Sequence, residues 1–182
     1  MIDLHFDLSG FTKAGQRFTE GAKKSPLAVR RAVAHTGPKA NTAMKVALVI
    51  QTGLKRRTMD KALKGKMRGS SYVVAVKGGD AKLSKFGARE TRAGVSAAPW
   101  NKRGTFAHTF VKGGQFPNRV AMPKLHGQVF IRSGSARYPI RVVKSGVVLP
   151  NEMVSGQSAL AFYATVERDL PARIEHELSR IF

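Results

Sequence analysis

An apolar stripe near the C-terminus constrains the fold more than any other pattern in this chain. Six apolar residues recur there at intervals of three or four, the spacing of one helix face: Tyr163, Val166, Leu170, Ile174, Leu178 and Ile181. Pro171 lies within the stripe, so the helix either kinks there or restarts behind an Asp169 cap. Because a helix with one apolar face must bury it, another layer of structure has to come from elsewhere in the chain.

Helical spacing also appears in the N-terminal third. Ser25-Pro26 is a favourable helix start, because serine caps the first turn and proline suits the first helical position. Gly37-Pro38 predicts a kink or a break, and the main helix is expected from about Asn41 to Leu63. Residues 1–24 are expected to form an N-terminal strand and then a short helix that ends near Gly21.

Short β patterns separate the two helical regions. Runs rich in β-branched and aromatic residues predict strands at 70–77 and 104–111, and the runs 127–132 and 138–144 predict a hairpin. Because these strands do not alternate with helices, the expected class is α+β. Residues 25–182 are expected to form a single domain, with a long N-terminal helix and a C-terminal helix packed on a small, mostly antiparallel sheet.

The segment from about residue 80 to 125 differs from its surroundings. It consists largely of Gly, Lys, Arg and small residues, with little apolar periodicity. Long irregular segments are uncommon inside compact domains unless they are functional. This segment is therefore expected to be an extended basic loop or arm that becomes ordered only against neighbouring subunits.

The charge of the chain is strongly unbalanced. Thirty-two Lys and Arg against eleven Asp and Glu give a formal net charge of +21. Such a surface favours a polyanion or an acidic protein as partner. The candidate DNA- or partner-facing cluster lies at the end of the expected main helix and just beyond it: Lys55, Arg56, Arg57, Lys64, Lys66 and Arg68.

Aromatic residues occur among these cations, and such rings can stack on nucleic-acid bases. They are Tyr72, Phe86, Trp100, Phe106, Phe110 and Phe116. The alternation of Phe106 and Phe110, however, is typical of the core-facing side of a strand. We therefore expect these two rings to belong to the core.

The sequence predicts no catalytic, cofactor-binding or metal-binding site, and an enzyme is not expected. Cysteine is absent, which excludes thiolate nucleophiles and Cys-based metal sites. The histidines form neither HxH nor HExxH, and no GxSxG elbow is present. Lys77-Gly78-Gly79 and Lys112-Gly113-Gly114 lack the phosphate-loop pattern and are expected to be ordinary loop ends. No apolar run reaches about 18 residues, and the N-terminus lacks a signal-peptide pattern, so synthesis and assembly in a cytoplasm are expected.

Three segments of the second half together resemble a known family. They are a Phe-rich strand, a strand with the pattern VF-R, and an R-Y-P-I strand that leads to a proline: Arg103 to Val111, Gly127 to Arg132, and Arg137 to Lys144 followed by Val148-Leu149-Pro150. In this order and spacing they resemble the phage minor tail protein Z family, a branch of the tail-completion proteins of long-tailed bacteriophages and prophages. The basic helix end at Thr52 to Arg57 is similar as well.

This resemblance implies an α+β structural virion protein without enzymatic activity. It implies a ring, with the sixfold symmetry of such tails, at the head-proximal end of the tail, where the protein helps to join tail and head. The implied partners are further copies of the chain, the tail terminator, the tail tube and the head–tail connector.

Two questions stay open at the level of sequence. The basic surface could face passing DNA, with loose and non-specific contacts, or acidic tail subunits. The alternative function is a freestanding, non-specific nucleic-acid-binding protein, which the charge alone would suggest.

Overall fold

The structure is a computed structural model that describes residues 9–181, with side chains from residue 19 onward. The strand expected in the first eight residues lies outside the described residues. The described helices are α1 (Ser9–Thr52), α2 (Arg56–Ala62), α3 (Leu149–Met153) and α4 (Gly156–Leu178). Short 3-10 turns occur at Leu83–Phe86, Pro99–Asn101 and Pro123–Leu125.

Ten short strands lie between α2 and α3. They are β1 (Leu63–Arg68), β2 (Ser71–Val76), β3 (Asp80–Lys82), β4 (Arg89–Thr91), β5 (Gly94–Ala97), β6 (Gly104–Ala107), β7 (Thr109–Phe110), β8 (Phe130–Arg132), β9 (Ile140–Val142) and β10 (Lys144–Val148). They form four small sheets with the orders β1-β2, β10-β3, β4-β5-β6 and β7-β8-β9. The pairings in the last three sheets are antiparallel, so the expected α+β class is confirmed.

The chain divides into two compact units, each made of several segments. The first unit comprises Met1–Ala40, Gly65–Val73 and Tyr163–Phe182, and the second comprises Asn41–Lys64 and Val74–Phe162. The hairpin expected at 127–144 is present in the second unit, where β8 and β9 pair with Phe130 opposite Val142.

Helix α1 continues through the positions at which the sequence predicted a start, a kink or an end. The short helix does not end near Gly21, and neither Ser25-Pro26 nor Gly37-Pro38 interrupts α1. Pro26 has no N–H for the carbonyl of Ala22, but the Ser25 hydroxyl donates to that carbonyl at 3.0 Å. The predicted breaks are therefore wrong, and at Pro26 the serine hydroxyl replaces the missing backbone donor.

Gly37 has a packing role in the first unit. A Cβ atom at Gly37 would overlap the ring of Tyr72, and one at Gly65 would overlap the same side chain at its hydroxyl end. Both glycines therefore make room for Tyr72, and Gly37 stays helical. A glycine inside a helix costs about 1 kcal/mol relative to alanine, and close packing is a usual reason to keep one.

The face of α4 that is buried differs from the expected apolar stripe. Thr165 and Glu177 are buried, whereas Tyr163 is 61% exposed. An open apolar groove of about 570 Å³ is lined by three residues of the stripe, Leu170, Ile174 and Leu178. Leu178 is the last residue of the helix. The stripe is therefore partly a surface of the first unit, which periodicity cannot reveal because it does not distinguish a core from an interface.

Two ion pairs join α1 to α4 within the first unit. Arg31 lies 4.0 Å from Glu177, and Lys39 lies 4.0 Å from Asp169. Asp169 thus serves as an ion-pair partner inside a continuous α4, so the alternative of a new helix capped by Asp169 is wrong. Small buried residues on α1, at intervals of four, allow the close approach: Ala28, Ala32, Thr36 and Ala40.

The core of the second unit includes residues that were expected to lie in a basic arm. Leu83 and Phe86, at the two ends of one 3-10 turn, are buried in the same cluster as Leu48, and Val95 and Ala97 of β5 join them. The arm predicted at about 80–125 is thus wrong for its first part. Two buried residues three apart give too short a periodic pattern to be recognised in the sequence.

We expect Leu83→Ala to destabilise the second unit by ~2–5 kcal/mol, because the side chain is fully buried and its loss leaves a cavity. The matched control is Leu160→Ala in the same unit, where the side chain is 60% exposed. Urea unfolding followed by circular dichroism measures both. Equal losses of unfolding free energy in the two variants would contradict the assignment of residues 80–97 to the core and would support an arm.

Candidate anion-binding groove

The C-terminal end of α1 determines where the basic residues lie. The Thr52 hydroxyl donates to the Leu48 carbonyl at 2.7 Å and accepts the N–H of Leu54 at 3.3 Å. Gly53 adopts φ of +78°, and its N–H donates to the Val49 carbonyl at 3.0 Å. A left-handed glycine ends a helix in this way, so the chain turns at Gly53 and α2 begins as a separate helix. The main helix expected to run to Leu63 therefore stops at Thr52.

Side chains from distant segments of the second unit hold this turn. The Asn101 amide donates to the Ile50 carbonyl at 2.6 Å. Gln51 accepts the N–H of Ser158 at 3.1 Å and donates to Glu152, which also accepts the indole N–H of Trp100 at 2.9 Å. These bonds satisfy polar groups at a helix end and fix the position of the residues that follow.

A groove of about 570 Å³ lies beside α2 in the second unit. Its apolar floor includes Ala62, Ala81 and Leu149, and Gly78 and Gly79 lie on its rim with open space around them. Six cationic side chains line it: Lys55, Arg57, Lys61, Lys77, Lys82 and Lys85. This arrangement combines a low-dielectric floor with a dense positive rim, which strengthens the field that an anion experiences.

Little within the second unit offsets this charge. Asp80 is the one acid among the described residues that line the groove, and its carboxylate accepts the N–H of Gly146 at 2.9 Å. None of the six cations forms an ion pair with a described residue. Lys82, whose ammonium donates to Gln128 at 3.0 Å, stands directly opposite Lys144 in the β3–β10 pairing. Like charges opposite each other repel, so an anion in the groove would relieve them.

The structure brings together only part of the cluster expected from the sequence. Lys55 and Arg57 line the groove, whereas the Arg56 guanidinium contacts Asp60 at 3.3 Å. The other three residues are exposed along β1 and do not line the groove: Lys64, Lys66 and Arg68.

Four lining residues were not predicted from the sequence: Lys61, Lys77, Lys82 and Lys85. One signal was present in Lys77-Gly78-Gly79, which was interpreted as an ordinary loop end. The backbone N–H of Lys77 donates to the Ala62 carbonyl at 2.8 Å, which brings Lys77 beside the end of α2. No local sequence pattern indicates that contact.

Asp60 anchors α2 to α1 within the second unit. Its Oδ1 accepts from the Lys45 ammonium at 3.1 Å, and only 14% of the Lys45 side chain is exposed. The hydrogen bond from Lys45 lowers the pKa of Asp60 below its usual value, and the positive charges of Lys45 and Arg56 act in the same direction. Lys45 and Arg56 thus pair with Asp60 and do not line the groove, which is lined by other cations.

The chemistry that the groove can perform is recognition of negative charge. Lys and Arg donate hydrogen bonds and carry charge, but the described lining of the groove contains no nucleophile paired with a base. Among the described residues, no group of three or more His, Asp or Glu is placed to hold a metal ion. None of the described helices is both long enough and apolar enough to cross a membrane.

We expect the pKa of Asp60 to lie below the usual carboxyl range and to rise in Lys45→Met, because the largest cause of the shift is lost. The stability that this contact provides is present above the pKa of unfolded Asp60 and is lost as pH falls through the lower folded value. Side-chain carboxyl NMR during a pH titration measures it. Lys61→Met is the control, and an unchanged Asp60 pKa in Lys45→Met would contradict the assignment.

The chain matches no protein-family model, no curated protein and no solved structure.

Proposed function

We propose that this protein is a structural subunit of a tailed bacteriophage, a tail-completion protein that forms a ring at the head-proximal end of the tail. In this role it has no enzymatic activity, and it contacts the tail terminator, the tail tube and the head–tail connector. The observation that carries the proposal is the basic groove, whose six cations have no acidic partner among the described residues. Such a surface suits a subunit that lies beside DNA without reacting with it.

Loose contact with phosphate explains the composition of the groove. Lysines predominate, and lysine acts as a mobile point charge on a flexible stem, whereas arginine binds phosphate with a rigid fork. Base-specific recognition would require side chains fixed against base edges, and a rim made mostly of lysine does not provide them. The groove is therefore suited to a duplex that moves past it.

Exposed apolar side chains support assembly with other subunits. Val46 and Ile50, one helical turn apart on α1, are 46% and 69% exposed. The stripe on α4 adds an apolar groove on the first unit. Adjacent exposed apolar side chains are typical of surfaces that other proteins cover.

The alternative is a freestanding, non-specific nucleic-acid-binding protein. A second basic cleft, which also contains aromatic rings, favours it. The two proposals differ in oligomeric state, since identical ring subunits form closed cyclic assemblies. Native mass spectrometry of the purified chain should show a closed oligomer, with the sixfold symmetry that the resemblance implies. A monomer at all concentrations would favour the alternative.

We expect the triple variant Lys61→Glu, Lys77→Glu and Lys85→Glu to fold and to enter particles, but to impair head–tail joining or DNA delivery. Complementation of a phage that lacks the gene, with counts of infectious particles, measures this. The control reverses three exposed cations outside the groove: Lys102, Lys124 and Arg180. Full infectivity of the groove variant, or equal loss in the control, would reject a specific role for the groove.

A further inference from the structure

A second cleft in the second unit has a different composition from the groove. It has a volume of about 870 Å³ and is formed around the β7–β8–β9 sheet and the loop that follows β7. Of the described residues, no Asp or Glu lines it. Its lining combines arginine and lysine with phenylalanine, whereas the groove described above has no aromatic residue in its described lining.

Three of the cations that line the cleft are not neutralised by an acid. Arg92, Lys112 and Arg132 form no ion pair with any described residue. Arg119 differs, because its guanidinium contacts Glu90 at 2.5 Å. The Glu90 carboxylate also accepts the N–H groups of Val111 and Lys112, at 3.1 and 3.4 Å. Glu90 and Arg119 thus hold the wall of the cleft in place. The other three cations are available to contact a ligand.

The two phenylalanines of the cleft have different surroundings. Phe110 stacks against Phe130 with ring centroids 6.2 Å apart, and the Arg132 guanidinium lies 5.7 Å from its centroid. Phe110 thus packs within its own sheet and is not part of the core cluster, against which Phe106 does pack. The single strand expected at 104–111 is wrong, because His108 adopts φ of +59° and divides it into β6 and β7. Phe116 also lines the cleft but is 45% exposed, and it has no comparable stacking partner among the described residues.

A glycine keeps the cleft open to a flat group. A Cβ atom placed on Gly134 would meet no other atom within 4 Å, so the wall there is backbone alone with free space in front of it. At Gly113, by contrast, a Cβ atom would overlap the Met122 side chain, so the open space lies at Gly134. A planar ring can therefore enter at Gly134 without displacing a side chain.

We propose that this cleft binds single-stranded nucleic acid, with phosphates against Arg92, Lys112 and Arg132 and one base stacked on Phe116. Stacking on an aromatic side chain combined with cations along the backbone is how proteins hold single strands without sequence preference. A duplex fits less well, because its bases are already stacked on each other. An acidic peptide would use the cations, but it would give no role to the exposed Phe116 ring.

Fluorescence anisotropy of the full chain tests the proposal. The probes are a labelled oligothymidylate of about ten nucleotides, the corresponding duplex, and a labelled oligoglutamate peptide. We expect the single strand to bind most tightly and its affinity to fall steeply with salt, with a slope of about 0.7 per phosphate contacted. Tighter binding of the duplex or of the peptide would overturn the proposal.

Substitutions separate the cleft from the general charge of the chain. Phe116→Ala should weaken the single strand by about 5- to 150-fold, the loss of one stacked base, and leave the duplex unchanged. Arg92→Gln with Arg132→Gln should reduce the salt slope. Tyr163→Ala, which removes a ring that is 61% exposed on α4, is the control.

Normal single-strand affinity in Phe116→Ala would overturn the proposal, and circular dichroism excludes unfolding as the cause of any loss. The inference does not depend on the proposed ring. Mass spectrometry measures the oligomeric state, and anisotropy measures single-strand binding by the cleft. The proposed ring can therefore be rejected while the proposed cleft function holds, and the reverse.

Discussion

The turn at the C-terminal end of α1 is the constraint on which the second unit depends. Gly53 in the left-handed region ends the helix, and Thr52 satisfies polar backbone groups on both sides of the turn. Asn101 and Gln51 then tie the 3-10 turn at Pro99–Asn101 and the start of α4 to the same point. Because Leu48 and Leu54 are fully buried on either side of the turn, the backbone there has little freedom. The position of α2, and with it one wall of the groove, follows from this turn.

The distribution of charge follows from the same packing. A chain with a net charge of +21 must keep its cations out of the core, since an unpaired buried charge costs several kcal/mol. Several acids therefore form ion pairs within each unit. Asp60 pairs with Lys45 and Arg56, Glu90 with Arg119, and Glu177 with Arg173. The remaining cations have few acids to pair with, and they include those that collect in the groove and in the cleft.

The sequence predicted those elements whose patterns are local and long. The two terminal helices, the β2 strand and the β8–β9 hairpin were all expected from periodicity and turn residues. The predicted breaks in α1 were wrong, because residue propensities do not include compensating contacts such as the hydrogen bond from Ser25 to Ala22. Leu83 and Phe86 were assigned to an arm, since a single 3-10 turn carries too little pattern to indicate a core.

The site was predictable only in part for a related reason. Lys55 and Arg57 belong to a dense local cluster, which the sequence displays directly. Lys77, Lys82 and Lys85 reach the same groove through the tertiary structure. Lys64, Lys66 and Arg68 are exposed along β1 and do not line the groove. Charge density along a chain thus favours an anionic partner, whereas tertiary structure decides which cations lie together.

The most direct test of the central claim is photo-crosslinking inside assembled particles. A photoreactive residue at position 79, where the groove rim has open space, should form adducts with packaged DNA. The same residue at position 104, which is equally open but lies outside the groove lining, should not. Adducts from position 79 that contain only tail proteins would contradict the account, because the groove would then face an acidic subunit and not DNA.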